Sequence, residues 1–409
     1  MSIRLASTLN RRDPKIGPGV NPVRVKLIFG RELGNRRLIN VWSDLRSTAK
    51  LIASIAKFSL FYLVRRLPRY EYKRIRFVLD TSTRVFQTGR ARHTWIRGII
   101  RMTVAKTSLA MLVLAGIVAS SPAGSATLEV GPSKTYKTPS AAAAVAKNGD
   151  QIKIEPGQYF DCAVWNADNL VIEGTGPGVV ITDKTCIGKG LFVIEGNNTT
   201  VRNLTLTRAR VPDMNGAGIR LDKGNLTVDS VKFIDNQNGI MGGVPGTTVT
   251  IRNSDFDRNG TCAGACAHGI YIGDVDLLRV ENSRFSNTRQ AHSIKSRAKR
   301  TEVIGCNIAD GPDGTSSYLI EAPNGGALIV RDTTLEKGPK SENHKAAIAI
   351  GAEGVTHPTP EITITNNNLR NDGNYETALV WNLTATRAIL KGNKLAGSVI
   401  PLDGDGTVQ

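Results

Sequence analysis

From residue 201 onward a short pattern of apolar and polar positions returns along the chain. An apolar residue is followed two places later by a small or amide residue, and three places after that by a large apolar one. Val201-Arg-Asn203-Leu-Thr-Leu206 is the first instance, and it returns at Val228–Phe233, Ile251–Phe256, Val280–Phe285, Val303–Ile308, Val330–Leu335, Ile364–Leu369 and Leu390–Leu395. The starts are 27, 23, 29, 23, 27, 34 and 26 residues apart. A constant pattern at variable spacing means that loops of different length enter each repeat at one place. The middle positions are Asn203, Ser230, Asn253, Asn282, Gly305, Asp332, Asn366 and Gly392, residue types that tolerate left-handed backbone at a tight bend. Each repeat therefore reads as strand, bend, strand, with the amides at the bend expected to hydrogen-bond from coil to coil.

A second series between these motifs predicts a third strand. Leu191, Ile219, Ile240, Ile270, Ile294, Leu319, Ile348 and Leu379, each preceded by a mostly small residue, form one expected inward column. By the two-residue period of a strand, the residues after them point outward: Phe192, Arg220, Met241, Tyr271, Lys295, Ile320, Ala349 and Val380. Two places on, the expected outward column is Ile194, Asp222, Gly243, Gly273, Arg297, Ala322, Gly351 and Asn382. Three short strands in about 26 residues predict a parallel β-solenoid whose equivalent positions stack ~4.8 Å apart. The leucine lattice of leucine-rich repeats is missing, and a propeller blade needs a period of ~40 residues.

From about Thr127 to the end, the chain resembles the right-handed parallel β-helix proteins of the pectate-lyase-like superfamily. The bend pattern is theirs, and Thr138-Pro-Ser-Ala-Ala-Ala-Ala-Val-Ala-Lys-Asn-Gly-Asp150 through Pro156-Gly-Gln-Tyr159 resembles their opening. The resemblance implies an all-β, right-handed, single-stranded parallel β-helix of roughly ten coils, with an N-terminal capping helix near Pro139–Lys147. It implies little about chemistry, because the fold carries lyases, hydrolases, epimerases, adhesins and tailspikes.

Charge divides the chain. Residues 1–101 hold 23 Lys and Arg against 5 Asp and Glu, and residues 102–409 hold the remaining 30 of each, so the surplus of 18 positive charges lies in the first quarter. The neutral remainder argues against nucleic acid as a partner. With 40% hydrophobic and 22% charged residues, the chain is near globular averages. At the junction a basic stretch through Arg101, Met102 and Lys106 leads into the uncharged run Leu109–Ser120 and then Ser121-Pro-Ala-Gly-Ser-Ala126. That order reads as a secretory signal peptide over residues 102–126, cleaved after Ala126, because the run is shorter than the ~20 residues that span a bilayer. Translation is then expected to start at Met102, with residues 1–101 an over-extended reading frame. The rival readings are a basic cytoplasmic extension with a signal anchor over 103–122, or an Arg-rich transit sequence. The domain expected after cleavage is 127–409, exported to the periplasm or beyond and without a stable membrane span.

All five cysteines lie in that domain, and export permits disulfides. Cys262 and Cys266 enclose Ala-Gly-Ala, a plausible small loop. Cys162 and Cys186 are one coil apart, as a disulfide or as stacked thiols, and one cysteine must be left over. No Cys/His spacing resembles a zinc site.

Two coils carry polar residues in concert: His268-Gly-Ile-Tyr271 and His292-Ser-Ile-Lys295-Ser-Arg297. Both His268/His292 and Tyr271/Lys295 are 24 residues apart, so each pair should stack. Tyr318 is expected one coil above, diagonally beside Lys295, as a substrate contact. Arg220, with Asp222, lies three coils away, ~14 Å, and could serve only a distant substrate subsite. Taken singly, such residues are ordinarily satisfied polar groups or solubility charges; their concentration in two coils is what sets them apart.

In pectate-lyase-like enzymes this face, beside the variable loops, is the substrate groove. Cleaving a uronate chain by β-elimination requires neutralising the carboxylate, removing the C5 proton and assisting the leaving oxygen. Lys295 is the expected base, its amine freed by the Arg297 charge ~6.6 Å along the strand. Arg297 is the expected carboxylate clamp and Tyr271 the acid, with His268 and His292 shaping the site. Both cationic side chains are read as outward, so replacing them is not expected to unfold the protein.

The resemblance has limits. The Asn-Thr-Asp turn and Asp-Asp pair of polygalacturonase-type hydrolases, the acid cluster that holds calcium in many pectate lyases, and the Asp-Pro-His-Asp of alginate epimerases are not found. His292-Ser-Ile-Lys-Ser-Arg297 is similar to the Lys and Arg of β-helix lyases that act on alginate or dermatan, in a different surrounding motif. The expectation is a monomer acting on an acidic polysaccharide as a lyase or epimerase, with no metal or other cofactor. The alternative is a noncatalytic glycan-binding or cell-surface β-helix.

Overall fold

The structure, a computed structural model, describes residues 125–409 and, before them, three strands only. These strands, Ile3–Ser7, Val25–Phe29 and Arg37–Val41, pair antiparallel in chain order. The chain divides into two units, Met1–Met102 and Thr103–Gln409. The expected signal sequence over 102–126 lies outside the described residues except for its last two.

Past Ala126 the chain winds through three parallel sheets of ten, twelve and ten strands. The second sheet runs from Thr127–Val130 to Gly406–Val408, the third from Gly157–Tyr159 to Lys394–Ala396, and the site sheet from Ala163–Trp165 to Val399–Asp403. Each strand pairs with its counterparts one coil below and one above. In the second sheet Val201, Val228, Ile251, Val280, Val303, Val330, Ile364 and Leu390 form one column without a slip. In the third, Leu206, Phe233, Phe256, Phe285, Ile308, Leu335, Leu369 and Leu395 do the same. Phe233, Phe256 and Phe285 stack with centroids 4.6 and 4.5 Å apart. Burying each of these rings stabilises the fold by about 2–3 kcal/mol.

All eight bend residues between these columns are left-handed, with φ from 48° at Asn282 to 66° at Gly392. Bend amides donate to the coil below at Asn253, to Asp229 Oδ1 at 3.0 Å, and at Asn366, to Asp332 Oδ1 at 3.3 Å, but the longer hydrogen-bonded ladder stands on the residue after the bend. Val231 N–H donates to Ser254 Oγ, Ser254 N–H to Ser283 Oγ, Cys306 N–H to Thr333 Oγ1, Thr333 N–H to Asn367 Oδ1 and Asn367 N–H to Asn393 Oδ1. The bend turns its own side chain out and the next one into the corner, where unpaired amides need an acceptor.

The site sheet departs from the expected register. Its column is Phe192, Ile219, Ile240, Ile270, Ile294, Ile320, Ile348 and Val380, so Leu191, Leu319 and Leu379 lie one residue ahead of it. Two successive side chains face the interior here: Leu191 and Phe192, Leu319 and Ile320, and Leu379 and Val380 all belong to the buried core. The first position is glycine in the coils opposite the phenylalanine column. A Cβ on Gly218 would come within 2.8 Å of the Phe233 ring, and one on Gly239 within 2.8 Å of Phe256. Strict alternation therefore fails at this point, and a one-residue shift exchanges the faces. The outward column is Val193, Arg220, Met241, Tyr271, Lys295, Glu321, Ala349 and Trp381, which brings Glu321 and Trp381 to the outer face.

Helix α1, Pro139–Ala143, is shorter than expected; Thr138 Oγ1 caps it by accepting from Ala141 N–H at 3.3 Å, and Ala142 is fully buried. Disulfides join Cys162 to Cys186, with Cα atoms 5.4 Å apart, and Cys262 to Cys266. Cys306 is free and buried in the corner ladder, and burial pushes its thiol up to about 11.

Candidate functional site

On the outer face of the site sheet, just before the strands, side chains from successive coils form a second ladder. Asn238 Oδ1 accepts the N–H of His268 at 2.8 Å, His268 Nδ1 accepts the N–H of His292 at 3.2 Å, and His292 Nδ1 accepts the N–H of Tyr318 at 3.2 Å. The rings stack, His268 on His292 at 4.9 Å and His292 on Tyr318 at 5.3 Å. An accepting Nδ1 assigns the proton of each imidazole to Nε2. Burial above all, then the neighbouring His292, Lys295 and Arg297, holds His268 well below the ordinary histidine value. Both histidines are thus scaffold members that set the height of the site. Tyr318, one coil above, stacks on His292 and is buried, so its register is with His292, while Lys295 pairs with Glu321.

Three residues further along, Tyr271, Lys295 and Glu321 stand one above another. Lys295 is only 7% exposed and Glu321 3%. Glu321 Oε2 lies 3.0 Å from Lys295 Nζ and 3.1 Å from His292 Nε2. Lys295 also donates to Glu353 Oε1. Arg297 donates from Nε to Tyr271 Oη at 3.0 Å, from Nη2 to Glu353 Oε2 at 2.6 Å and from Nη1 to Asn324 Oδ1. Both cations lie near the Tyr271 ring, Lys295 Nζ at 5.9 Å and Arg297 Cζ at 5.6 Å from its centroid.

Lys295 is therefore not an exposed amine beside a single cation, as its spacing from Arg297 implied, but a buried ammonium donor between two carboxylates. Burial alone would raise the Glu321 and Glu353 carboxyls. For Glu321, His292 and Lys295 outweigh it; for Glu353, Lys295 and Arg297 do, and both groups lie below the ordinary carboxylate value. The four charges form a neutral quartet, open to solvent on the Glu353 side.

Glu353 and Asn324 arrive from loops. Segment 351–361 follows the strand Ala346–Ile350 and folds back down the outer face. It is tied there by Glu353 N–H to Pro323 O and by Thr356 and His357 N–H to Asn324 O, each at 3.0 Å. Its far end places His357 Nε2 3.3 Å from Asp274 Oδ1. On the opposite side a small hairpin, Thr261–Ala263 with Ala265–Ala267, is closed by Cys262–Cys266 and runs directly into His268. Arg220 is three coils below Lys295, as expected. It is committed to its own surroundings, with Nε 3.0 Å from Asp222 Oδ1 and Nη1 3.2 Å from Met241 sulfur.

The missed residues had sequence signals. Glu321 is 26 residues after Lys295, one ordinary coil, once Leu319 is released from the column. Glu353 lies in the longest of the repeat spacings, the 34 residues from Val330 to Ile364. Among the described residues no cluster of three or more His, Cys, Asp or Glu is arranged to hold a metal ion. No helix among them is long and apolar enough to cross a membrane.

Residues 244–400 match the family model described as right handed beta helix region. The fold of the described residues from 127 to 409 is a right-handed parallel β-helix. Among solved structures the β-helix is similar to the alginate lyase from Paenibacillus sp. str. FPU-7, at 19% identity over 69% of this chain and 99% of that one, with a TM-score of 0.54. It is also similar to the pectin methylesterase from Aspergillus niger (16% identity, 62% and 87% covered, TM-score 0.43) and to the pectate lyase Pel9A (13%, 68% and 79%, 0.41). At these identities the likeness is one of fold. No curated protein sequence matches the chain.

Proposed function

We propose that this β-helix protein binds an acidic, uronate-containing polysaccharide along the outer face of the site sheet and cleaves it by β-elimination. The observation that carries the reading is that Lys295 and Arg297 together grip one carboxylate, that of Glu353, beside a tyrosine with a proton to give. Tyr271 Oη accepts from Arg297 Nε, which leaves the phenolic O–H available to a leaving oxygen. In this scheme Arg297 and Lys295 receive the sugar carboxylate, the Lys295 ammonium passes one proton to Glu321 Oε2, 3.0 Å away, and the free amine so formed takes the C5 proton. The C4–O4 bond breaks as the C4–C5 double bond forms, and Tyr271 protonates O4. His268, His292 and Tyr318 hold these groups at fixed height, and Arg220 marks a distant subsite. The structural neighbour at a TM-score of 0.54 is an alginate lyase, and alginate is a polymer of the same acidic class. Two disulfides and the signal-like stretch before Thr127 support export.

A second reading, a noncatalytic glycan-binding module, is favoured by the near-complete burial of Lys295 between two carboxylates. The two part in one experiment. Purified protein is incubated with alginate, pectate, glucuronan and glycosaminoglycans while the ultraviolet absorbance of unsaturated uronate and the chain length are followed. A rise in absorbance with shortening supports the lyase; binding with neither change supports the module.

A further inference from the structure

We propose that Glu353 is a resident stand-in for the substrate's carboxylate, and that its displacement by an incoming uronate makes it a specificity-determining residue of the site. This rests on the reading of the face as a uronate-binding surface. The Glu353 carboxylate spans Lys295 Nζ and Arg297 Nη2 with one oxygen on each, the bidentate arrangement in which a guanidinium and a neighbouring cation receive any carboxylate. The two carboxylates on Lys295 are not equivalent. Glu321 is sealed in the sheet, with its side chain 4% exposed, whereas that of Glu353 is 40% exposed on an excursion loop. Glu353 can therefore swing into water with modest loss, while Glu321 cannot leave without stranding a buried charge.

The loop itself need not move. Its backbone is pinned to Pro323 and Asn324 independently of the Glu353 side chain, so rotation of that side chain alone opens the seat. A ligand bearing a carboxylate restores both ion pairs, and the exchange is nearly neutral in charge. A neutral or esterified sugar would leave Arg297 without a carboxylate partner and Lys295 with Glu321 alone. The resident carboxylate thus holds the seat until a ligand restores its ion pairs, which an acidic glycan does and an uncharged one does not.

The test is calorimetric titration of wild type, Glu353→Gln and Glu353→Ala with defined oligomers of mannuronate, guluronate, galacturonate and glucuronate. A methyl-esterified galacturonate oligomer is the uncharged control. Both variants should bind the acidic oligomer that wild type prefers more tightly, by about tenfold, and should still bind it more tightly than the esterified oligomer, which makes no ion pair in the seat. Glu353→Gln keeps the size of the side chain and guards against loop damage, and backbone circular dichroism of both variants should match wild type. If wild type binds an acidic oligomer and both variants bind it equally or more weakly, Glu353 is a plain structural partner and the inference fails while the reading of the face stands. If none of the three proteins binds any acidic oligomer, the reading of the face fails and the inference goes with it.

Discussion

At the corner between the second and third sheets, eight successive coils put a left-handed residue at the same bend and an apolar residue on either side of it, buried in all but the last coil, where Leu395 is partly buried. On the outer face of the site sheet the same coils carry Val193, Arg220, Met241, Tyr271, Lys295, Glu321, Ala349 and Trp381, no two alike. The corner has two residues of loop and no freedom; each coil must repeat the geometry of the last or lose its ladder. The site sheet is fed by excursions of varying length, and the two longest spacings of the repeat, 29 and 34 residues, belong to the coils that carry the hairpin before His268 and the segment that brings Glu353. Repetition builds the scaffold, and its interruption builds the site.

The sharpest way to break the corner is Phe256→Ala. The ring is sandwiched between Phe233 and Phe285 in a packed interior, and its loss should cost about 4 kcal/mol, seen as a lower urea midpoint. Lys295→Ala should come next, at about 3 kcal/mol, because it leaves the buried Glu321 without its cation. The same change should abolish turnover on any uronate polymer the wild type cleaves. A variant of unchanged stability would place Lys295 back on an open surface, as its sequence position alone implied. Asn367→Ala should cost about 2 kcal/mol by leaving Thr333 N–H and Val330 C=O without partners in the corner.

Glu321→Gln probes the outer face through pH. The folded-state carboxyl lies below its ordinary value, so as the pH falls the unfolded chain takes up the proton first. The stability the group contributes is complete above the ordinary carboxylate range and lost as pH falls through the folded value. Glu321→Gln should therefore be less stable than wild type at neutral pH, with the difference shrinking on acidification, in urea midpoints measured across that range. Cys306→Ser should have the smallest effect, under about 1 kcal/mol. Ser283 and Thr333 occupy the same ladder position one coil away on either side, and a hydroxyl can replace the thiol there.

The comparison also explains what was legible in the amino-acid sequence. The second- and third-sheet columns were readable to the residue because Asn, Asp, Ser or Gly at the bend and a large hydrophobe three later are each demanded by sterics. The site sheet was half readable. Tyr271 and Lys295 were correctly stacked, but Leu191, Leu319 and Leu379 satisfied the same apolar rule as their neighbours, since two consecutive positions face inward and periodicity cannot choose between them. That slip hid Glu321. For Glu353 the long spacing marked a loop but not its landing place, and Asn324 had no such mark: where a loop folds back is decided by backbone bonds to distant carbonyls, which leave no periodic trace. His268 and His292 were found by spacing, but their work as acceptors for backbone amides depends on which ring nitrogen faces the coil above.

The segment from 351 to 361 has a consequence for how the molecule comes apart. A solenoid is nearly one-dimensional: each coil touches the one below and the one above, and unfolding can begin at an end and travel. His357 reaches Asp274, three coils away, and Glu353 reaches Lys295, two coils away, so this stretch ties together rungs that would otherwise open one at a time. Native-state hydrogen exchange should show the amides of coils 270 to 350 opening as a single cooperative block, with the coils beyond Thr377 fraying separately. Cutting the tie with His357→Ala should divide that block in two while leaving the local structure of each coil intact.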